Sequence, residues 1–389
     1  MAEDNVFRIP YGDGALMAEL PERTRVIRQE TRPLPRLTDP AKAVRDALNS
    51  PIAHEPLSTL VSPRSRVTIA FDDPIGFVPI QREPDFRGLA IGVILEELDK
   101  LGVKDSNIRL LCAVGLHRKW NTRELSSIIG EDLPYRLGPS RLRNHDAEDR
   151  ENLVFLGETE RGQEVEVNRA LIDSDQVIYV SNPWSPFNGG WKSAVVGLGS
   201  FRSIRHHHRP FPKASGKSTM DAKRSAFPKL LNEMGKIIEK ELAKKGRRFL
   251  IVEGAMNNAY PQEVVQVVAG HPPEAHEKTL DILQRQHIVE VKGQSDVVVY
   301  GMGNNRDPYS KMSLINPILV LWGQGAYGFR HLGKVFLAGA TDFEVARLLG
   351  FEPFSTVEEA IGEAERLIGK DCSIAYPEMH DSFICNVEG

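Results

Sequence analysis

The chain has 389 residues, and its 49 lysines and arginines against 53 aspartates and glutamates give a formal net charge of −4 at pH 7. This length predicts about two or three domains and a sizeable buried core, which excludes a disulfide-stabilised mini-protein. With 41% hydrophobic and 26% charged residues, the composition is that of a globular protein and not of a disordered chain. The near balance of charge argues against a nucleic-acid partner, which normally requires a basic excess.

The three cysteines, Cys112, Cys372 and Cys385, lie far apart and form no CxxC pair. Their odd number and wide spacing favour reduced thiols over a disulfide framework or a cysteine-bound metal. The N-terminal residues lack the basic-then-apolar order of a signal peptide, and no apolar run reaches the roughly 18 residues that a membrane helix needs. We therefore expect a cytoplasmic protein that does not enter a membrane.

From residue 66 onward, short β-branched runs alternate with longer amphipathic stretches, which is the pattern of βαβ units in a mostly parallel sheet. In the first block this pattern predicts strands over 67–71, 108–114, 176–180 and 247–252, and helices over 87–101, 122–129 and 228–245. In the second block it predicts strands over 296–300 and 334–338, and helices over 274–286, 313–322, 342–349 and 357–368.

The helix predicted over 228–245 closes on a cationic last turn followed by Gly246, a typical helix end. We place a domain boundary there. The prediction is an N-terminal catalytic and cofactor-binding domain over 1–246, with the tail 376–389 packing back on it, and a C-terminal α/β domain over 247–375. The expected fold class is α/β, with two domains that each contain a mostly parallel sheet flanked by helices and with the active site in the cleft between them.

Two glycine motifs resemble nucleotide-binding loops only superficially. Gly216-Lys217-Ser218 ends like a phosphate loop, but the required earlier glycine is Phe211. Gly301-Met302-Gly303 follows a predicted strand, but the third glycine of a dinucleotide fingerprint is Arg306. The sequence therefore does not predict a P-loop or a Rossmann NAD site.

The segment SNPWSPFNGGWK, residues 181–192, directly follows the strand predicted over 176–180. It therefore lies at the carboxyl end of a strand, where open α/β sheets bind ligands. Gly189 and Gly190 allow close backbone approach, Asn188 adds polar groups, and Lys192 supplies an amine that becomes nucleophilic when its surroundings are apolar. The spacing alone also fits a simple glycine turn with a solvated lysine.

Other polar clusters follow strands in the same way. Asp72-Asp73 ends the first predicted strand, and the segment GLHR, which contains His117, ends the next, so we expect both at one edge of the sheet. The segment HDAED places the imidazole of His145 beside carboxylates such as Asp146, which could orient it. Each cluster taken alone also fits a satisfied polar group or a helix cap.

His206-His207-His208 lies in a segment without apolar periodicity. Neutral imidazole is a common ligand for nickel, copper, zinc and iron. Adjacent histidines point in different directions, so one or two of them at most can face one metal ion. A surface cluster that binds metal adventitiously is an equal alternative.

These pieces, in this order, resemble the nickel-dependent lactate racemase family. They read FDDPIGF (71–77), GLHR (115–118), HDAED (145–149), FNGGWK (187–192) and a histidine sixteen residues after the lysine, and the resemblance covers roughly residues 65–349. It implies a nickel pincer nucleotide joined covalently to Lys192. In its reaction a base takes the substrate hydroxyl proton, the pyridinium accepts the α-hydrogen with its electron pair, and return to the opposite face inverts the carbon.

From this resemblance we assign a role to each candidate residue. The cofactor would be held by Lys192, Asn188, Gly189, Gly190, His145 and Asp146, and nickel by His208. The expected catalytic residues are His117, Asp73, Asn182 and Tyr309.

The chain departs from the family pattern on the substrate side. Asn182 stands where the family has its second catalytic histidine, Gly76 where it has an arginine, and Ser310 and Ser313 where it has substrate-binding Gln and Lys. Because an asparagine does not titrate and a lost cation weakens carboxylate binding, we expect a substrate other than lactate. The candidate replacements are the cations Arg202, Arg205, Arg306 and Lys311 and the acid/base groups Asp307, His206, His207 and Tyr309.

The leading hypothesis is a racemase or epimerase of a 2-hydroxy acid that uses the lysine-bound nickel pincer nucleotide. The expected partners are a small hydroxy-acid substrate and the enzymes that synthesise the cofactor, and a homo-oligomer is left open. Two alternatives are a nickel pincer enzyme of another reaction type, such as hydroxy-acid oxidation, and a non-catalytic ligand-binding relative.

Overall fold

The computed structural model describes residues 5–11, 14–27, 31–74, 81–183, 188–206, 226–259, 261–292, 297–301, 334–340, 342–348, 350–377 and 384–388. Its strands are β1 (Val6–Tyr11), β2 (Gly14–Glu19), β3 (Thr24–Ile27), β4 (Val67–Asp72), β5 (Ile108–Ala113), β6 (Leu142–Asn144), β7 (Leu153–Glu158), β8 (Glu164–Asn168), β9 (Gln176–Ser181), β10 (Phe249–Met256), β11 (Val264–Gly270), β12 (Ile288–Lys292), β13 (Val297–Gly301), β14 (Lys334–Ala338), β15 (Glu352–Phe354), β16 (Ile374–Pro377) and β17 (Ile384–Glu388). Its α-helices are α1 (Pro40–Asn49), α2 (Leu57–Leu60), α3 (Phe86–Lys100), α4 (Thr122–Ile129), α5 (Asp132–Arg141), α6 (Ala170–Asp173), α7 (Phe201–Ile204), α8 (Phe227–Ala243), α9 (Pro272–His287), α10 (Phe343–Leu348) and α11 (Val357–Ile368). A π-helical segment spans Ser193–Gly197.

The central element is a six-stranded sheet with the order β11-β10-β9-β4-β5-β6. All neighbouring strands in it are parallel except β10 and β11, which pair antiparallel. β9 and β10 are buried along their whole length. Such continuous burial explains the near-continuous apolar runs in these strands, since a parallel sheet is covered on both faces.

Alternate residues of the strands enter two separate cores on opposite faces of this sheet. Ile69 and Ile178 pack with α3, α4 and α1 in one core. Tyr179 and Phe249 pack with α8 and the π-helical segment in the other. The predicted α/β class, with a parallel-dominated sheet between helices, is confirmed.

Strands that follow the predicted boundary at residue 246 complete this same sheet, because β10 pairs with β9 and β11 pairs with β10. The cationic end of α8 and Gly246 therefore mark a connection within the sheet. The division into two domains stays a prediction, but the sheet itself continues to Gly270.

The N-terminal strands pack with the C-terminal part of the chain. Ala18 and Leu20 share a core with residues of β14 and α11, and the Glu19 amide donates a hydrogen bond to Glu358 Oε1 at 3.0 Å. In the same region, β13, β14 and β15 form a parallel three-stranded sheet.

The tail divides between two partners. β16 pairs in parallel with β3, and β17 pairs in parallel with β12. The helix predicted over 313–322 lies outside the described residues. None of the helices in the described ranges is long and apolar enough to cross a bilayer.

Candidate active site

The carboxyl ends of β4, β5, β9 and β10 meet at one edge of the six-stranded sheet. β4 ends in Asp72 and is followed by Asp73, β5 is followed by the segment that carries His117, and β9 is followed by Asn182. Glu253 of β10 lies in register with Ser181 of β9. The predicted convergence of Asp73, His117 and Asn182 at one sheet edge is therefore observed.

Asp72 is held by three donors from β9 and the residue after it. Its carboxylate accepts hydrogen bonds from Tyr179 Oη at 2.8 Å, from Ser181 Oγ at 2.7 Å and from the Asn182 amide at 3.3 Å. Burial raises the pKa of this carboxyl, and the Ser181 and Tyr179 hydrogen bonds oppose that rise. The three bonds fix the start of the loop after β9 against the end of β4.

Asp73 and His117 form a hydrogen-bonded pair. Asp73 Oδ2 lies 2.8 Å from His117 Nδ1 and also accepts a hydrogen bond of 3.0 Å from Trp120 Nε1. A carboxylate only accepts, so Nδ1 carries the hydrogen and Nε2 remains available. The His117 side chain is 20% exposed and that of Asp73 only 7%, which is the arrangement of an oriented general base.

The carboxylate of Glu253 fixes the glycine turn before Lys192. Gly190 donates its amide hydrogen to Glu253 Oε1 at 2.8 Å, and the other oxygen, Oε2, lies 3.0 Å from His276 Nδ1. Gly189 has φ +94°, and a Cβ there would lie 2.5 Å from both Glu253 Oε1 and His276 Nδ1. Only glycine fits this position, because the backbone conformation and the close approach both exclude a side chain.

Lys192 is half-buried. Its Nζ donates a hydrogen bond to Asn188 Oδ1 at 3.1 Å. Burial lowers the pKa of the amine, while the negative charges of Asp72 and Asp73 oppose that lowering. A buried amine with a lowered pKa is neutral more often than a surface lysine and is therefore a better nucleophile. Partial burial and the hydrogen bond to Asn188 argue against a fully solvated lysine.

Trp191 anchors the same turn on the other side. Its ring stacks on Phe249 at 5.6 Å between centroids and meets the edge of His271 at 5.9 Å. Gly235 of α8 makes room for it, since a Cβ there would lie 2.3 Å from the indole. The turn that carries Lys192 is therefore locked between α8, β10 and α9.

His145 is wholly buried, and both ring nitrogens are engaged by the protein. Nε2 lies 2.8 Å from the Gly199 carbonyl oxygen, and Nδ1 lies 3.0 Å from Asn168 Nδ2. Burial lowers its pKa to about 4, so the ring is neutral at pH 7. Asp146 pairs with Lys119. Cofactor contact by His145 and Asp146 stays a prediction, and the observed bonds of His145 instead join the segment after β6 to that after the π-helical segment.

Two buried polar atoms near Lys192 have no hydrogen-bond partner within the described ranges. They are Asn182 Nδ2 and Ser193 Oγ. Buried polar groups are normally paired, and an unpaired one calls for a ligand or another explanation. Both lie beside residues already placed at the site, since Asn182 bonds to Asp72 and Ser193 follows Lys192.

Three of the proposed replacement groups converge on one carboxylate. Arg202, Arg205 and His206 all contact Glu164, with His206 Nε2 3.0 Å from Oε2. The hydrogen bond from His206, together with those from the arginines, lowers the pKa of Glu164 to about 2. These groups therefore already have a partner. The remaining predicted residues lie outside the described ranges: Gly76, His207, His208, Arg306, Asp307, Tyr309, Ser310, Lys311 and Ser313.

Sequence reasoning missed Glu253 and His276 and undervalued Asp72 and Trp191. One feature of the sequence could have pointed to Glu253: it is a lone carboxylate inside the apolar run of a buried strand. No comparable feature points to His276, which lies on an ordinary amphipathic helix.

The fold and this edge together define an α/β protein with an enzyme-like site: a half-buried lysine, a histidine paired with a carboxylate, and buried donors that have no partner among the described residues. Residues 11–220, more than half of the chain, match the lactate racemase N-terminal domain. The chain belongs to the lactate racemase family.

Two curated relatives are named lactate racemase, so this is a family of isomerases. The protein of Thermoanaerobacterium thermosaccharolyticum is 24% identical over 307 residues, which are 76% of this chain and 66% of that protein. The protein of Lactiplantibacillus plantarum is 25% identical over 171 residues, or 43% of this chain and 38% of that protein. The aligned region spans just under two thirds of the first relative and less of the second.

Two solved structures share the fold. The lactate racemase apoprotein from Thermoanaerobacterium thermosaccharolyticum superposes with a TM-score of 0.71 at 19% identity and covers 98% of this chain and 100% of that one. A Thermotoga maritima protein gives a TM-score of 0.59 at 12% identity, over 92% of this chain and 100% of that one.

Proposed function

We propose that the chain is a nickel pincer nucleotide enzyme of the cytoplasm that racemises or epimerises a 2-hydroxy acid other than lactate. The observation that carries the proposal is the half-buried Lys192, whose pKa is lowered by burial, on a glycine turn at the carboxyl edge of the sheet. Membership of the lactate racemase family supports the class of reaction.

The residues present fit a covalently held, acceptor-rich cofactor. Lys192 offers the amine for attachment, and Asn188 holds that amine in place. Asn182 Nδ2 and Ser193 Oγ are buried donors in need of an acceptor, such as a phosphate or thioacid group. His208 is the proposed nickel ligand, with imidazole suited to that metal.

When bound, the nickel pincer nucleotide would supply an electron-deficient ring and metal that exchange the α-hydrogen of the substrate with its electron pair. The chain itself moves the proton. His117 Nε2 takes the hydrogen of the substrate hydroxyl, and Asp73, bound to Nδ1, stabilises the imidazolium that forms.

A substrate other than lactate follows from the missing cations. Gly76, Ser310 and Ser313 replace the charged or amide groups that the family resemblance leads us to expect. Each lost hydrogen bond to a charged carboxylate removes about 1.5–3 kcal/mol of binding. A larger hydroxy acid with further polar groups would recover that energy elsewhere. The proposed partners are such a hydroxy acid and the enzymes that synthesise the cofactor.

The test is to produce the chain together with the cofactor-synthesis enzymes and to measure its intact mass and nickel content. We expect a mass increase that maps to Lys192 and about one nickel per chain. Lys192→Ala should lose both, whereas Lys240→Ala, an exposed lysine of α8, should keep both. Wild-type protein with neither adduct nor nickel would overturn the proposal.

Oxidation of the hydroxy acid is the second candidate function. Asn182 favours it, because an amide cannot return a proton on the opposite face of the substrate. Chiral chromatography of one pure enantiomer after incubation with an added small-molecule electron acceptor, which would take the two electrons released by oxidation, separates the two functions. Appearance of the opposite enantiomer indicates racemisation, and a net keto-acid product with reduced acceptor indicates oxidation.

A further inference from the structure

Two histidine–carboxylate pairs adjoin the candidate site, and the reaction described above uses only one of them. In the second, His276 Nδ1 lies 3.0 Å from Glu253 Oε2. The carboxylate is buried completely, and the His276 side chain is 16% exposed. The first pair, His117 with Asp73, has the same order: Nδ1 on a buried carboxylate and a ring that is 20% exposed.

The second pair touches the turn that carries Lys192. Glu253 Oε1 accepts the Gly190 amide hydrogen at 2.8 Å, so one carboxylate holds both the turn and the imidazole. The His276 ring packs directly against Gly189 and Gly190, whose added Cβ atoms would lie 2.5 and 3.3 Å from it. Lys192 is only two residues further along the chain.

The free ring edge of His276 distinguishes it from a core histidine. His145 is fully buried with both nitrogens hydrogen-bonded, as a structural histidine should be. His276 Nε2 forms no hydrogen bond with any described residue, while its ring is partly open to solvent.

We propose that His276 is a second acid/base residue of the site and that Glu253 is its positioning residue; this inference rests on the proposed function. His117 and His276 then work as a pair. One takes the hydroxyl proton of one enantiomer, which breaks the O–H bond and forms an N–H bond. The other gives a proton to the same oxygen when the opposite enantiomer forms, so the number of protons is conserved.

The experiment compares the cofactor-loaded wild type with His276→Gln and with Glu277→Gln, an exposed neighbour on the same helix. We expect His276→Gln to carry wild-type amounts of the Lys192 adduct and nickel but to interconvert enantiomers about 10²-fold more slowly or worse. Glu277→Gln should match the wild type. Free imidazole should restore part of the rate to His276→Ala, which loss of a purely structural contact would not allow.

A readout without the cofactor completes the test. In nitrogen-15 spectra of the apoprotein with labelled histidine, we expect the neutral His276 ring to carry its hydrogen on Nδ1, because the Glu253 carboxylate accepts there, and to lose this preference in Glu253→Ala. A neutral ring with its hydrogen on Nε2, or a loaded His276→Gln with a wild-type rate, would overturn the inference. Absence of any adduct in the wild type would instead count against the proposed function.

Discussion

The two ends of the six-stranded sheet satisfy their polar groups in different ways. At the amino end, Asp175 accepts hydrogen bonds from the Arg66 amide at 2.9 Å and from the Arg247 guanidinium at 2.7 Å. Arg109 donates there to Thr68 at 2.6 Å and to Ser174 at 3.1 Å. These groups satisfy one another and leave no demand for a ligand.

The carboxyl end holds groups that the described chain does not satisfy. Asn182 Nδ2 and Ser193 Oγ find no partner in the described ranges, and they lie in the same region as the half-buried Lys192, whose amine donates to Asn188. Burying such groups costs free energy, so they persist only where another need outweighs that cost. The amino-end cluster and the site therefore differ in whether their polar groups are paired, and not in the mere number of charges.

The largest effect is expected from removing the proposed general base, His117, at the carboxyl end of the sheet. We expect His117→Gln to lower the turnover of loaded enzyme by about 10³-fold, because a positioned general base contributes about 10²–10⁴. Asp73→Asn should cost less, about 10²-fold, because the imidazole remains but loses the carboxylate that stabilises its charged form. Turnover is measured per bound nickel on a single enantiomer.

Equal nickel content in these variants serves as the control, since neither residue attaches the cofactor. Wild-type turnover in loaded His117→Gln would remove this histidine from the reaction.

His145 tests the comparison of the two ends from another side, because both of its ring nitrogens are hydrogen-bonded although it lies at the carboxyl end of the sheet. Its pKa is about 4 in the folded protein and about 6.5 when unfolded, so the unfolded chain binds the proton more readily. The contribution of the neutral His145 ring to the free energy of unfolding should therefore be fully present above pH 6.5. It should be lost as the pH drops towards 4, by about 3 kcal/mol in total. Urea unfolding at a series of pH values measures this.

The matched variant is His145→Gln, which lacks the titrating ring. We expect the wild type to be more stable than His145→Gln at pH 7. The difference in their free energies of unfolding should become smaller as the pH falls to 4. A gap that does not change with pH would show that His145 is not held neutral by burial.

The smallest effect is expected at the amino end. Asp175→Asn removes charge from two ion pairs that are partly exposed to solvent, and such pairs contribute about 0–1 kcal/mol each. The free energy of unfolding should fall by about 1 kcal/mol, with adduct and nickel content unchanged. Loss of the Lys192 adduct in this variant would contradict the separation of the two ends.

Sequence alone could predict the parts of this site that follow strands. The apolar runs that became β4, β5 and β9 are local signals, and the edge at which Asp73, His117 and Lys192 meet follows from the parallel order. The closing of α8 at Gly246 was also visible, but a helix end carries no information on whether the next strand joins the same sheet. The helix end therefore locates a connection, and the division into two domains stays a prediction.

The contacts that sequence could not reveal join residues distant in the chain. Glu253 and His276 meet the glycine turn from β10 and α9, more than sixty residues later, and nothing in their local patterns points to that turn. The space that Gly235 leaves for Trp191 could not be predicted from sequence either, because a glycine inside a helix can serve several different purposes.

The pairing of the N-terminal strands with the C-terminal core has a consequence for synthesis. The Glu19 amide and its partner Glu358 are 339 positions apart, so the ribosome makes the donor long before its acceptor. At about 5–20 residues per second, the apolar side of β1 and β2 waits tens of seconds for β14 and α11. The apolar residues of β2 are thus covered only after β14 and α11 have been synthesised.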